Sequence, residues 1–167
     1  INNEVRAADS YDSKNNSIDQ YVRLSTDDDW ELIFKNRADN REQFDFLNFS
    51  IENPQEIYLS ANRGKNTTGI YTYNIETKTY SERLFGLENV DVDDVVLNRK
   101  KADRGRLLGF SYTAKHPEVY WLDEYEENLR GAIQAAFPGK FVSLTSRSED
   151  DNQIVVRTSA SNDPGTF

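Results

Sequence analysis

The chain has no cysteine, no methionine, a single histidine, four prolines and no apolar run longer than a handful of residues. Without cysteine there are no disulfides, no thiolate nucleophile and no thiolate metal site, and the compartment stays open between cytoplasm and periplasm. Without methionine the sequence reads as a processed or excised piece, since an intact reading frame opens with one. A lone histidine means that any Ser-His-Asp constellation must use His116. The apolar runs fall far short of the roughly 20 residues that span a bilayer, and Ile1-Asn2-Asn3-Glu4 has neither a basic n-region nor an apolar h-region. No membrane partner is expected. The net charge is −9, and the 20 Lys and Arg are interspersed with 29 acids rather than gathered in a stripe, so nucleic acid is not expected as a partner either.

What the chain has is aromatic residues, nine Tyr, nine Phe and two Trp, mostly in short runs beside Val, Ile and Thr. That company favours strands. Two stretches read as copies of one unit: Gln55 to Gly64 with Thr68-Gly69-Ile70-Tyr71, and Ile154 to Phe167. Each is an apolar run, a Ser-Ala exit, a polar turn containing Gly, and a return strand. Aligning Ile57 with Val155 sets them 98 residues apart, two periods of 49, near the roughly 40 to 50 residues of a propeller blade. A degenerate third copy falls midway, at Arg106 to Thr113. The last copy stops at Phe167 as its return strand begins, so a piece of a longer protein is again expected.

Residues 1–19 are polar and read as a leader or incomplete strand; residues 20–167 read as blades. Hairpins are predicted for Gln20–Leu24 with Trp30–Phe34, for Gly69–Asn74 with Thr79–Phe85, for Val90–Leu97 with Arg106–Thr113, and for Phe141–Thr145 with Ile154–Thr158. The phase shift inside Phe44–Ser50 predicts a bulged strand. One helix is predicted over 123–137: Asp123 and Glu126 form an Asp-x-x-Glu cap, Tyr125, Leu129, Ala132, Ile133, Ala136 and Phe137 share a face, and Pro138-Gly139 ends it.

Candidate sites are few. Gly109-Phe110-Ser111-Tyr112-Thr113 approaches a nucleophile elbow, but the elbow needs a helix straight after the serine, and Lys115-His116-Pro117 argues against one. Ser111 aligns with the strand-exit residues Ser60 and Ser159, and His116 reads as a solvated loop residue. The acidic clusters Asp27-Asp28-Asp29, Asp91-Asp93-Asp94 and Glu149-Asp150-Asp151 lack the Gly and the twelfth-position Glu of a calcium loop and read as turns. Tyr120-Trp121-Leu122 could line a cleft or pack the helix. No catalytic, cofactor-binding or metal-ligating residue is assigned.

Tyr58-Leu59-Ser60-Ala61-Asn62-Arg63-Gly64 with Ile70-Tyr71-Thr72-Tyr73-Asn74, Gly109-Phe110-Ser111-Tyr112, Tyr120-Trp121-Leu122-Asp123 opening a helix that ends at Phe137-Pro138-Gly139, and Ser161 to Phe167 together resemble the propeller of prolyl oligopeptidase family serine peptidases, in particular bacterial dipeptidyl and acylaminoacyl peptidase-like members. The resemblance covers about two thirds of the chain, from Gln55 onward. It implies a non-catalytic propeller that gates peptide access to a downstream α/β-hydrolase domain carrying the Ser-Asp-His triad. No residue of that triad is carried over, because the chain holds no elbow.

The fold class expected is therefore all-β with one inserted helix, a partial β-propeller of about three blades built from antiparallel sheets. The expected partners are the hydrolase domain of the parent chain, its peptide substrates, and a second copy through open blade edges. The alternatives are a standalone binding or scaffold module and, further off, a glycosidase using acids such as Asp27 or Asp150.

Overall fold

A computed structural model describes residues 4–37, 39, 41–161 and 163–166. Two compact units divide the chain: Ile1–Val96 with Phe110–Tyr120, and Leu97–Gly109 with Trp121–Phe167. Among the described residues there are four antiparallel sheets and one α-helix. Over the described residues the protein is all-β with an inserted helix and no closed barrel, consistent with a partial propeller-like fold.

The first sheet is the meander β1 (Ala7–Asp12), β2 (Ser17–Val22) and β3 (Glu31–Arg37). Residues 1–19, read from composition as a leader or incomplete strand, thus contain a full six-residue strand. Polar composition misled because β1 is a mostly exposed edge, and its register against β2 runs unbroken from Ala7↔Val22 to Asp12↔Ser17. The second sheet orders β4 (Phe44–Phe49), β5 (Glu56–Ala61), β6 (Gly69–Asn74) and β7 (Thr79–Tyr80), with β8 (Phe85–Gly86) also on β6. The predicted bulge in β4 lies between Phe46 and Asn48.

The third sheet is β9 (Val92–Leu97), β10 (Leu107–Thr113) and β11 (Pro117–Trp121), with a 3₁₀ turn at Lys101–Asp103. Strand β11 was not foreseen, because His116, just before Pro117, read as a solvated loop residue. Proline opens this strand at the sheet edge, where its missing N–H costs nothing. Helix α1 (Glu124–Ala136) follows, and then the fourth sheet, β12 (Phe141–Arg147), β13 (Ile154–Ala160) and β14 (Asp163–Thr166). The three sequence copies are interior strands of three sheets, β5, β10 and β13.

The core of the first unit follows from strand alternation. One face of β5 and β6 presents Ile57, Leu59, Ala61, Tyr71 and Tyr73 to Val22 and Phe34 of the first sheet. The other face carries Tyr58, Ser60 and Ile70, all buried. Beside Ile70, Phe85 stacks on Phe110 at 4.9 Å, and the Ser60 hydroxyl donates to the Val92 carbonyl at 3.3 Å. The second sheet is therefore covered on both faces, which is why β5 shows no polar alternation. Each of its fully buried aliphatic side chains contributes about 1.5–3 kcal/mol of transfer free energy.

In the second unit, Asp123 caps α1 by accepting from the Glu126 N–H at 2.9 Å. The predicted reciprocal half of the capping box is absent: the Glu126 side chain turns to Arg147 on β12 instead. The expected apolar docking face is also displaced. Glu126 is the buried residue of the helix, while Tyr125 is 55% and Phe137 36% exposed.

Candidate functional site

Ser111 lies inside β10, and its hydroxyl donates to the Asp94 carbonyl at 3.3 Å. The chain then turns, with the Ala114 N–H donating to the His116 carbonyl, and continues as β11. A strand where the elbow needs a helix removes the strained turn that would aim the serine outward.

The acidic clusters act as turn caps and ties. Asp28 accepts from the Ser25 hydroxyl at 2.8 Å, Asp91 from the Thr68 N–H at 2.7 Å, and Asp93 from the Thr113 hydroxyl at 2.8 Å. Glu149 accepts from the Lys101 N–H and Asp151 pairs with Lys100, so a basic turn docks on an acidic one. Asp150 accepts from Ser148 and Asn152 in its own turn, which holds its carboxyl below the usual range. Among the described residues no three His, Asp or Glu side chains are grouped to hold a metal ion.

Tyr120 and Trp121 are consecutive on a strand, so they point to opposite faces. The Tyr120 ring stacks on Phe85 at 4.8 Å, and Trp121 lies under the Arg130 guanidinium at 5.4 Å. They do not line a common cleft.

Phe34, Phe44, Tyr73 and Tyr80 make a ring cluster, with Phe34 and Phe44 stacked at 4.7 Å and Tyr73 against Tyr80 at 4.9 Å. Arg63, in the left-handed region at φ 43° in the Asn62–Lys65 turn, lays its guanidinium 4.2 Å above Tyr80. Burial, and then the neighbouring Tyr73, push the Tyr80 phenol up to about 12. The cluster is a protonated, arginine-capped extension of the core, already filled by the chain itself.

A recess lies where the β2–β3 connection meets the β6–β7 turn. It is a cleft of about 160 Å³ lined by Val22, Arg23, Leu24, Asp28, Asp29, Glu31, Ile75, Glu76 and Lys78. Val22 and Ile75 form a buried floor. Lys78 pairs with Glu31 at 2.9 Å, and that hydrogen bond raises the lysine above its usual range. Arg23 is held by the Val5 and Thr26 carbonyls and lies over Trp30 at 4.4 Å. With four carboxylates and two cations on the rim, the cleft favours a cationic group on an apolar stem. Its volume is below the roughly 300–1,000 Å³ of small-molecule sites, so it fits a single side chain. Both turns were legible as turns, but nothing in the sequence places them together.

Comparison with protein families, with curated proteins and with solved structures returns no match.

Proposed function

We propose that the chain is a propeller segment of a prolyl oligopeptidase-like serine peptidase, gating the access of peptides to an α/β-hydrolase domain of the same parent protein. On this reading it performs no chemistry itself. It provides blade faces that dock on the hydrolase domain and on further blades, and open sheet edges that pair with a second copy where neighbouring blades are missing.

The observation that carries the reading is the recurrence of an interior strand in successive antiparallel sheets. Interior strands begin at Ser17, Glu56, Leu107 and Ile154, about 40 to 50 positions apart, with β6 a second interior strand of the second sheet. The second sheet, buried on both faces, is built as an interior layer of a stack and not as a free surface. The residues of the resemblance fall on these elements: Tyr58 to Gly64 on β5 and its turn, Gly109 to Tyr112 on β10, Tyr120 to Asp123 at the end of β11 and the helix cap.

The test is recovery of the native product from its source cells with an antibody to this chain, followed by peptide mapping and labelling with a fluorophosphonate probe. A product of several hundred residues that takes the probe at a serine in a Gly-x-Ser-x-Gly sequence beyond Phe167 is expected. An unlabelled product without such a sequence would overturn the proposal and leave a binding module, for which the acidic cleft is the first place to look.

A further inference from the structure

Most surface helices dock through their apolar stripe. Helix α1 docks through charge. Glu126 is 3% exposed and receives the Arg147 guanidinium of β12 at 2.5 Å, with Arg130 of its own helix 3.6 Å away. Arg147 also reaches Asp151 in the β12–β13 turn at 3.4 Å. Asp151 in turn accepts from the Tyr125 hydroxyl of α1 at 2.9 Å and pairs with Lys100 of the loop after β9. Three cations, one from each of three elements, thus close on two carboxylates. At the helix start Arg106 pairs with the cap residue Asp123 at 2.9 Å, on the rim of the cluster.

Two features make this attachment conditional. Glu126 Oε2, Arg130 Nε, Arg147 Nη1 and Asp151 Oδ1 are buried without a hydrogen bond, so the docked state carries desolvated polar atoms with incomplete compensation. Of the apolar side chains of α1, Tyr125 is exposed and Leu129 and Ile133 are only half-buried, so no fully buried apolar residue holds the helix in place. Neutralising Asp151 removes the carboxylate that lies between Arg147 and Lys100.

We propose that α1 is an acid-released strap: a helix held on the fourth sheet by the Glu126–Arg147–Asp151–Lys100 cluster, which detaches as a unit when Asp151 is neutralised while the sheets stay folded. The sign follows from the Asp151 carboxyl, which the Lys100 hydrogen bond, aided by Tyr125 and the nearby Arg147 charge, holds below the usual carboxylate range. A depressed carboxylate gives its full stabilisation above the unfolded value and loses it as pH falls through the folded one. Release therefore sets in below about pH 4, and removing the Glu126 charge brings it to neutral pH.

The experiment is hydrogen exchange by mass spectrometry on the full chain, corrected for intrinsic rates, comparing peptides over 124–136 with peptides over 56–61. At pH 7, Glu126→Gln is expected to speed exchange in the helix roughly 100-fold, as for a buried cation that loses its nearer carboxylate and keeps only Asp151, with 56–61 unchanged. Adding Arg147→Met, which removes that cation, is expected to recover at least about tenfold of the protection. In the unmodified chain the helix is expected to lose protection below about pH 4 before 56–61 does, and in the double variant, where Asp151 keeps Lys100 but not Arg147, this early loss is smaller. Unchanged helix protection in Glu126→Gln, parallel loss in both regions, or no recovery on adding Arg147→Met would overturn the proposal.

Discussion

Replacing Gly69 by alanine should destabilise this protein, and the same replacement should stabilise it once Arg83 is gone. Gly69 and Gly86 face each other across β6 and β8. A methyl group built on either would lie 2.0 Å from the Arg83 guanidinium, which occupies the slot between them. From there Arg83 Nη2 donates to the Thr68 carbonyl at 2.7 Å, the Thr67 carbonyl at 3.1 Å and the Thr67 hydroxyl at 3.2 Å. Neither glycine has a positive φ, so the backbone itself accepts alanine. Two effects then compete. Alanine in a strand gains about 0.5–1 kcal/mol over glycine. Expelling the guanidinium forfeits charge-assisted hydrogen bonds worth about 1.5–3 kcal/mol each when buried, and about 2 kcal/mol in all here, because Arg83 is half-buried and solvent takes up part of the loss. The net cost in the unmodified chain is about 1–1.5 kcal/mol, or roughly 0.5–1 M in urea midpoint. In the Arg83→Ala background only the gain remains. Urea denaturation followed by Trp30 fluorescence, with Trp121→Phe to silence the other unit, measures both. Equal destabilisation in the two backgrounds would show that the slot does not exist to hold Arg83.

Leu59→Ala, at a fully buried position on the face toward the first sheet, should cost about 2–5 kcal/mol in the same denaturation assay. Asp123→Ala removes the cap of α1 and the Arg106 pair, and should cost the helix at least about 1 kcal/mol, read as loss of far-ultraviolet ellipticity or of amide protection over 124–136. Desolvation, and then the nearby Asp9, push the Asp45 carboxyl up although the residue keeps contact with solvent. The folded state therefore resists its ionised form, and Asp45→Asn should raise the urea midpoint at pH 7. The advantage should shrink as pH falls through the raised value and vanish below the ordinary carboxylate range; an advantage that grows on acidification would refute the assignment.

Much of the strand order was readable because turns and repeats are local. Asp123 with Glu126 marked the helix start, Pro138-Gly139 its end, and the phase slip around Leu47 the bulge in β4. What was hidden is non-local. The polar β1 is a strand because β2 pairs with it, not because of its own composition. Pro117 opens a strand because an edge position asks for no N–H there. The helix docks on Glu126 because Arg147, 21 positions on, waits on β12; periodicity counted Tyr125 and Phe137 as inward and had no means of weighing that ion pair. The acidic cleft draws on turns about 50 residues apart, and the Arg83 slot on two glycines whose facing positions only the register of β6 and β8 reveals.

The enclosure of β5 has a consequence during synthesis. Ile57-Tyr58-Leu59-Ser60-Ala61 is an uncharged, β-prone segment of the kind that stacks with copies of itself when left open. Two of its protections, β4 and the first sheet, are made before it. The other two arrive later, β6 within about ten residues, but the Phe110 side of the stack only some 50 residues on, which at 5–20 residues per second is roughly 3 to 10 s of translation. For that interval the face of Tyr58, Ser60 and Ile70 has only the cover that Phe85 and Val92 bring as they emerge, and neighbouring nascent chains on the same message present the identical surface. The segment at the centre of the first unit's core is also one whose shelter depends on the pace of the ribosome.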